Sequence, residues 1–152
     1  MEDKFDFPNE IPKCLESNVS LKHTTVVAMI DIAEAFSNFH KEKGDGKRSR
    51  VVFLTTHGFV SGDIMEIAER AEPRKTDLGY TVDVGTYLYH SRNVTLVEEE
   101  KKGQLSLSDA TRFVHLKNVT FASLTNTRTP LDEMILFTDQ ILGMMIEQID
   151  TE

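Results

Sequence analysis

Five histidines (His23, His40, His57, His90 and His115) and one cysteine, Cys14, are the side chains best suited to hold a metal ion. A structural zinc site takes about four ligands, brought in at short spacings such as His-x3-His or Cys-x-x-Cys. No two of these residues stand at such a spacing, so no metal site is expected. With Cys14 alone, an intramolecular disulfide is excluded. Nucleophilic chemistry has less support still. Ser61 lies in Phe59-Val60-Ser61-Gly62-Asp63, which is not a Gly-x-Ser-x-Gly elbow, and Leu105-Ser106-Leu107-Ser108 alternates as strand-edge residues do. Gly44-Asp45-Gly46-Lys47 lacks the spacing of a phosphate-binding loop, and no apolar strand precedes it. The Asn-x-Ser/Thr triplets at Asn18, Asn93 and Asn118 carry meaning only on a secretory route. The polar, acidic run Met1–Glu10 does not have the pattern of a signal peptide. These residues argue against an enzyme: no catalytic residue and no cofactor is expected.

Nucleic acid is the other chemistry to weigh. The chain has 17 basic and 25 acidic side chains, a net charge of −8, which repels a polyanion unless its bases are gathered on one face. One basic cluster exists, Lys41, Lys43, Lys47, Arg48 and Arg50, set among Glu42, Gly44, Asp45 and Gly46; composition reads it as a solvated linker. From Leu131 to Glu152 the balance reverses, with Asp132, Glu133, Asp139, Glu147, Asp150 and Glu152 and no base. There is no tryptophan; Phe59, Tyr80, Tyr87 and Tyr89 are the candidate stacking residues, and Arg50, Arg92 and Lys117 the candidate phosphate contacts. DNA is not expected as a partner, and RNA is expected at most weakly.

The elements that must position these residues follow from patterning. At 152 residues the chain fits a single domain, residues 1–152, able to bury about 70% of its unfolded surface. No apolar run reaches the ~18 residues of a membrane span, and with one cysteine the chain reads as cytoplasmic. Residues 1–18, holding Pro8 and Pro12, read as an irregular arm. A helix is expected over 24–42: Val26, Met29, Ile30, Ala33, Phe36 and His40 share a face widened by Ile32 and Phe39, and the Gly44–Gly46 segment ends it. Val51–Leu54 and Val60–Ile67 alternate at period two about a turn at His57-Gly58. Glu69–Thr76 is a polar loop. Tyr80–His90 and Asn93–Val97, rich in β-branched and aromatic residues, predict strands, with a charged turn at 98–103. Phe113–Leu116 and Val119–Leu124 predict two further strands, with Lys117-Asn118 as the reversal, asparagine tolerating left-handed backbone.

The last element is expected to be a helix over 130–148. Thr129-Pro130-Leu131-Asp132 resembles an N-cap followed by a first-turn proline. Leu131, Met134, Ile135, Thr138, Ile141, Leu142 and Met145 then fall on one face, broadened by Phe137, Met144 and Ile146. About ten large apolar side chains, each gaining ~1.5–3 kcal/mol on burial, require a partner surface. Both helices show apolar arcs wider than the ~100° one core face needs, so self-association, a protein partner, or both are expected.

A helix followed by five short strands is the order of the Sm-like (Sm/LSm) barrel family. Val51–Ile64 (VVFLTTHGFVSGDI) resembles the first Sm motif, with Gly58 and Gly62 as its glycines, and Phe113–Phe121 (FVHLKNVTF) resembles the second. The resemblance covers about half the chain. It implies a mainly β fold: a small antiparallel barrel over 50–124, with an insertion at about 71–90, one helix before it and the C-terminal helix after. It also implies strands after Arg112 that pair with a neighbouring copy in a cyclic homo-oligomer. In RNA-binding members an Asp…Asn pair follows the second strand; Met65–Lys75 has no counterpart, and Lys117-Asn118 stands where Arg-Gly is usual. The expected function is therefore a non-enzymatic oligomeric scaffold or regulatory interaction protein. The alternative is an RNA binder using His57, Phe59, Lys117 and Asn118.

Overall fold

The computed structural model describes residues 11–16, 20–67, 74–76, 79–81, 83–103 and 112–151. They form α1 (Lys13–Glu16), α2 (Leu21–Lys43), β1 (Lys47–Leu54), β2 (Gly58–Ile64), β3 (Arg74–Thr76), β4 (Gly79–Thr81), α3 (Val84–Lys101), β5 (Phe113–Ser123), β6 (Arg128–Phe137), a 3-10 turn (Thr138–Gln140) and β7 (Gly143–Asp150). The chain divides into two compact units, one of residues 1–19 and 66–110, the other of residues 20–65 and 111–152.

The second unit is α2 packed on a five-stranded antiparallel sheet of order β6-β5-β2-β1-β7. It is a mixed helix and sheet structure whose sheet is open. The helix begins three residues before its expected start because the Ser20 side chain accepts from the His23 backbone N–H. It ends at Gly44, whose left-handed backbone (φ 67°) returns its N–H to the carbonyls of His40 and Lys41. Val26 and Ala33 of α2 meet Val51, Phe53, Val60, Val114, Leu116, Val119, Leu136 and Ile141 in one core. The period-two stretches Val51–Leu54 and Val60–Ile67 thus become the neighbouring strands β1 and β2, the second ending at Ile64, three residues short of its expected end.

Two glycines fix the sheet's middle. Gly58, at φ 150°, closes the β1–β2 turn by accepting from the Thr55 N–H and hydroxyl, and a Cβ there would sit 2.2 Å from the Ala122 carbonyl oxygen. At Gly62 a Cβ would stand 2.8 Å from the Lys117 carbonyl oxygen. Here the β2–β5 register slips between Ser61 and Asp63, and Asn118 takes φ 50°. This corrects the expectation of a reversal at Lys117-Asn118. Both residues lie inside the single strand β5, and asparagine's tolerance of left-handed backbone serves a bulge.

The expected C-terminal helix over 130–148 is β6, the 3-10 turn and β7. Its apolar residues suit a helical face but also alternate, with Met134, Leu136, Met144 and Ile146 turned to the core. Long-range ladders decide: β6 pairs along β5 from Phe137 to Arg128, and β7 along β1 from Gly143 to Asp150. Pro130, expected to open a helix, sits opposite Thr120 on an edge strand, where a missing N–H is tolerated. Thr138 breaks the run, its N–H and hydroxyl both donating to the Arg112 carbonyl.

In the first unit, β3 and β4 form a short hairpin. The strands expected over Tyr80–His90 and Asn93–Val97 are replaced beyond Thr81 by α3. Asp83 caps it, its side chain accepting from the Thr86 N–H, and Thr86, His90, Asn93 and Val97 form its buried seam at spacings of four, three and four. A cap and a helical seam override β-branched content here. The charged turn expected at 98–103 is mostly the last turns of that helix. The Glu100 carboxylate accepts from the N–H groups of Lys13 (3.2 Å) and Cys14 (2.7 Å). Of the expected irregular arm, residues 1–10 and 17–18 lie outside the described residues, and 13–16 are α1. The expected loop at 69–76 falls outside them up to residue 73, and 74–76 are β3.

Candidate functional site

The four residues singled out from sequence fall into two pairs. His57 is exposed in the β1–β2 turn, its N–H donating to the Thr55 hydroxyl at 3.2 Å. Phe59, half-buried, stands opposite Leu54 and Ala122. Lys117 stands opposite Asp63 and Glu133, and its Nζ lies 3.6 Å from Glu133 Oε1. Asn118 is exposed and donates from Nδ2 to Asp63 Oδ2 at 2.9 Å. From Phe59 to Asp63 is four residues of extended strand, about 13 Å. Turn and bulge therefore occupy opposite ends of β2, and the four do not share one pocket.

Asp63 organises the bulge and was missed at the level of sequence. Its other oxygen accepts from Arg48 Nη1 at 2.9 Å. Burial raises the Asp63 carboxyl, but the hydrogen bonds from Asn118 and Arg48 and the charges of Arg48 and Arg50 outweigh it and hold the group below its ordinary value. The same side of the sheet carries Arg50 on Glu147 at 3.0 Å, and the buried His115, with Nε2 3.5 Å from Glu133 Oε2. Lys117, Arg50 and Arg48 each lie against a carboxylate, which leaves little of their charge for a phosphate.

A second polar cluster joins α2 to β7. His40 is buried, with Nδ1 2.6 Å from Asp45 Oδ2 and Nε2 3.1 Å from Gln148 Nε2. The hydrogen bond to His40 is the largest influence on the Asp45 carboxyl, and with the Lys47 backbone N–H and charge it outweighs desolvation and holds the group below its ordinary value. Among the described residues no group of three or more His, Cys, Asp or Glu is placed to hold a metal ion. Near the start of α2, burial first and the Arg112 charge second lower the His23 pKa.

The remaining feature is the sheet's boundary. β6 and β7 are its outer strands, and no described strand pairs with the far side of either. Such a row of unpaired N–H and C=O groups is a template for another strand. Large apolar side chains are exposed nearby: Leu131 and Phe137 on β6, Leu142 and Met145 at β7, and Val27, Ile32, Phe36 and Phe39 on α2. No helix is long and apolar enough to cross a membrane among the described residues. Compared with known proteins, the chain matches no family model, no curated protein and no solved structure.

Proposed function

We propose that the chain is a non-enzymatic, Sm-like interaction module that self-associates through the open edges of its sheet, as a scaffold or regulatory protein of the cytoplasm. The observation that carries this reading is that the two outer strands of the five-stranded antiparallel sheet, β6 and β7, have far edges with which no strand among the described residues pairs. The Sm-like assignment, with the sheet as the wall of a small barrel, is supported by the element order of this unit: one helix, then five antiparallel strands, the last lying beside the first. The resemblance at Val51–Ile64 falls on the β1–β2 hairpin, whereas the stretch matched to the second motif is one strand. A cytoplasmic setting is supported by the single cysteine. The RNA alternative has less support, since its four residues are split between two ends of β2 and its lysine, Lys117, faces Glu133.

Light scattering on the full chain at tens of micromolar tests the reading. A mass of at least twice 17.2 kDa is expected; a monomer would overturn self-association. The same sample's absorbance ratio should show no copurifying nucleic acid.

A further inference from the structure

Helix α2 carries a half-exposed apolar stripe on the side of the helix nearer β7 than β1. Helix and strand run together: Lys22 Nζ donates to the Asp139 carbonyl at 3.2 Å near one end, and His40 meets Gln148 at the other. Between these contacts the helix advances about 27 Å, close to the roughly 30 Å of chain from 139 to 148. Ser37 of α2 faces inward, its hydroxyl accepting from the Ser49 N–H of β1 at 2.8 Å. On the helical wheel Lys22 and His40 turn away from Ser37 towards β7, and Phe36, Ile32 and Phe39 continue about 40–100° further round. These three residues are 49%, 46% and 52% exposed, although α2's other face is in the core. An open strand edge and a half-bare apolar helix stripe thus lie on the same side of the unit.

We propose that this surface is filled by the same surface of a second copy, β7 pairing antiparallel with β7 across a two-fold axis and the two α2 stripes meeting above it. The proposal rests on the self-association reading and names which edge makes it. Three features of the chain fit a second copy as the occupant. A two-fold axis normal to an antiparallel ladder must pass through a residue, and Ile146, at mid-strand, gives the longest overlap that keeps carboxylates apart. Glu147 then faces Met145 and Gln148 faces Met144, whereas an axis through Glu147 would set it against its own copy. The two-fold also brings both helices to one face of the joined sheet. With strands about 4.8 Å apart, helices seated over β1 and β7 would stand about 10–14 Å apart, a gap that Phe36 and Phe39 from both sides can fill. Finally, β7 has no proline, whereas β6 has Pro130 beside Asp132 and Glu133.

Cysteine cross-linking in the full chain with Cys14→Ser tests it. Ile146→Cys should link to itself under mild oxidation, and a mixture of Met145→Cys and Glu147→Cys proteins should link where neither does alone. Phe36→Asp, at an exposed position, should shift the mass from twice 17.2 kDa to 17.2 kDa with an unchanged circular dichroism spectrum. If the protein has a multimeric mass but links only through a Leu131→Cys and Met145→Cys pair, association runs from β6 to β7 and this proposal is overturned while self-association stands. A multimer that survives Phe36→Asp unchanged also overturns it. A monomeric parent protein overturns both readings.

Discussion

β6 and β7 bound the same sheet from opposite sides. Each carries acid, Asp132 and Glu133 on one, Glu147 and Asp150 on the other, and each exposes apolar side chains. What separates them is what lies beside the edge. β6 starts with a proline at its third residue, and its first five residues are exposed. β7 is continuous, and α2 runs above it, fixed by His40 on Gln148 and Lys22 on Asp139. An edge strand alone offers backbone hydrogen bonds of about 0.5–1.5 kcal/mol net each. An edge with an apolar stripe adds burial at roughly 25 cal/mol per Å², which is where most association energy comes from. By this argument an open edge is a docking surface only when a second layer comes with it.

The largest expected effect comes from charging that layer. The double variant Ile32→Asp/Phe36→Asp should weaken self-association at least a hundredfold by concentration-dependent sedimentation, and Leu131→Asp/Phe137→Asp on β6 should leave it within threefold. Equal losses from both pairs would erase the distinction between the edges. Next in size is Gly62→Ala at the bulge on which β5, and hence β6, depends. A Cβ there meets backbone at 2.8 Å, so chain must move, and a loss of about 2–3 kcal/mol in denaturant unfolding is expected.

A smaller effect is expected at Asp63. Replacing it by Asn removes a charge-assisted pair whose carboxylate is about one-third exposed and whose guanidinium is 44% exposed, so a loss of about 1 kcal/mol at most is expected at neutral pH. The pH dependence gives the sign. The folded carboxyl lies below 3.8, so its stabilisation is complete well above that value and is lost as pH falls through the folded value. The parent should therefore lose stability below about pH 4 more steeply than Asp63→Asn. The smallest effect concerns RNA. Lys117→Ala should change anisotropy with short U-rich RNA by less than twofold at physiological salt; submicromolar binding abolished by that change would place the function at the bulge.

Legibility in the sequence followed how local each cause is. Helix α2 announced itself through its apolar period and Gly44, and β1 and β2 through alternation about Gly58, because neighbouring residues set those signals. The C-terminal segment misled because it is apolar enough to satisfy both periods: Leu131, Met134, Ile135, Ile141, Leu142 and Met145 fill a helical face, while Met134 with Leu136 and Met144 with Ile146 alternate as strand residues do, and the deciding partners, β5 and β1, are distant in the chain. Over Tyr80–Val97 the β-branched and aromatic composition predicted strands, whereas the signals that decide α3, Asp83 as a cap and a buried seam at helical spacing, went unread. The site shows the same division. Lys117 and Asn118 were recognisable as special through asparagine's backbone tolerance, but a bulge and a reversal ask for the same residue. Asp63 gave no local sign, since its partner Asn118 is 55 positions away.

Hydrogen exchange of β6 and β7 amides, measured on one sample at high and low concentration, tests the inequality of the edges most directly. In an antiparallel edge strand alternate N–H groups point outward and are bare in a monomer. The outward amides of β7 should be protected at high concentration and lose that protection on dilution, while those of β6 should exchange freely at both. Protection gained on β6 together with β7, or on neither strand, would contradict that inequality.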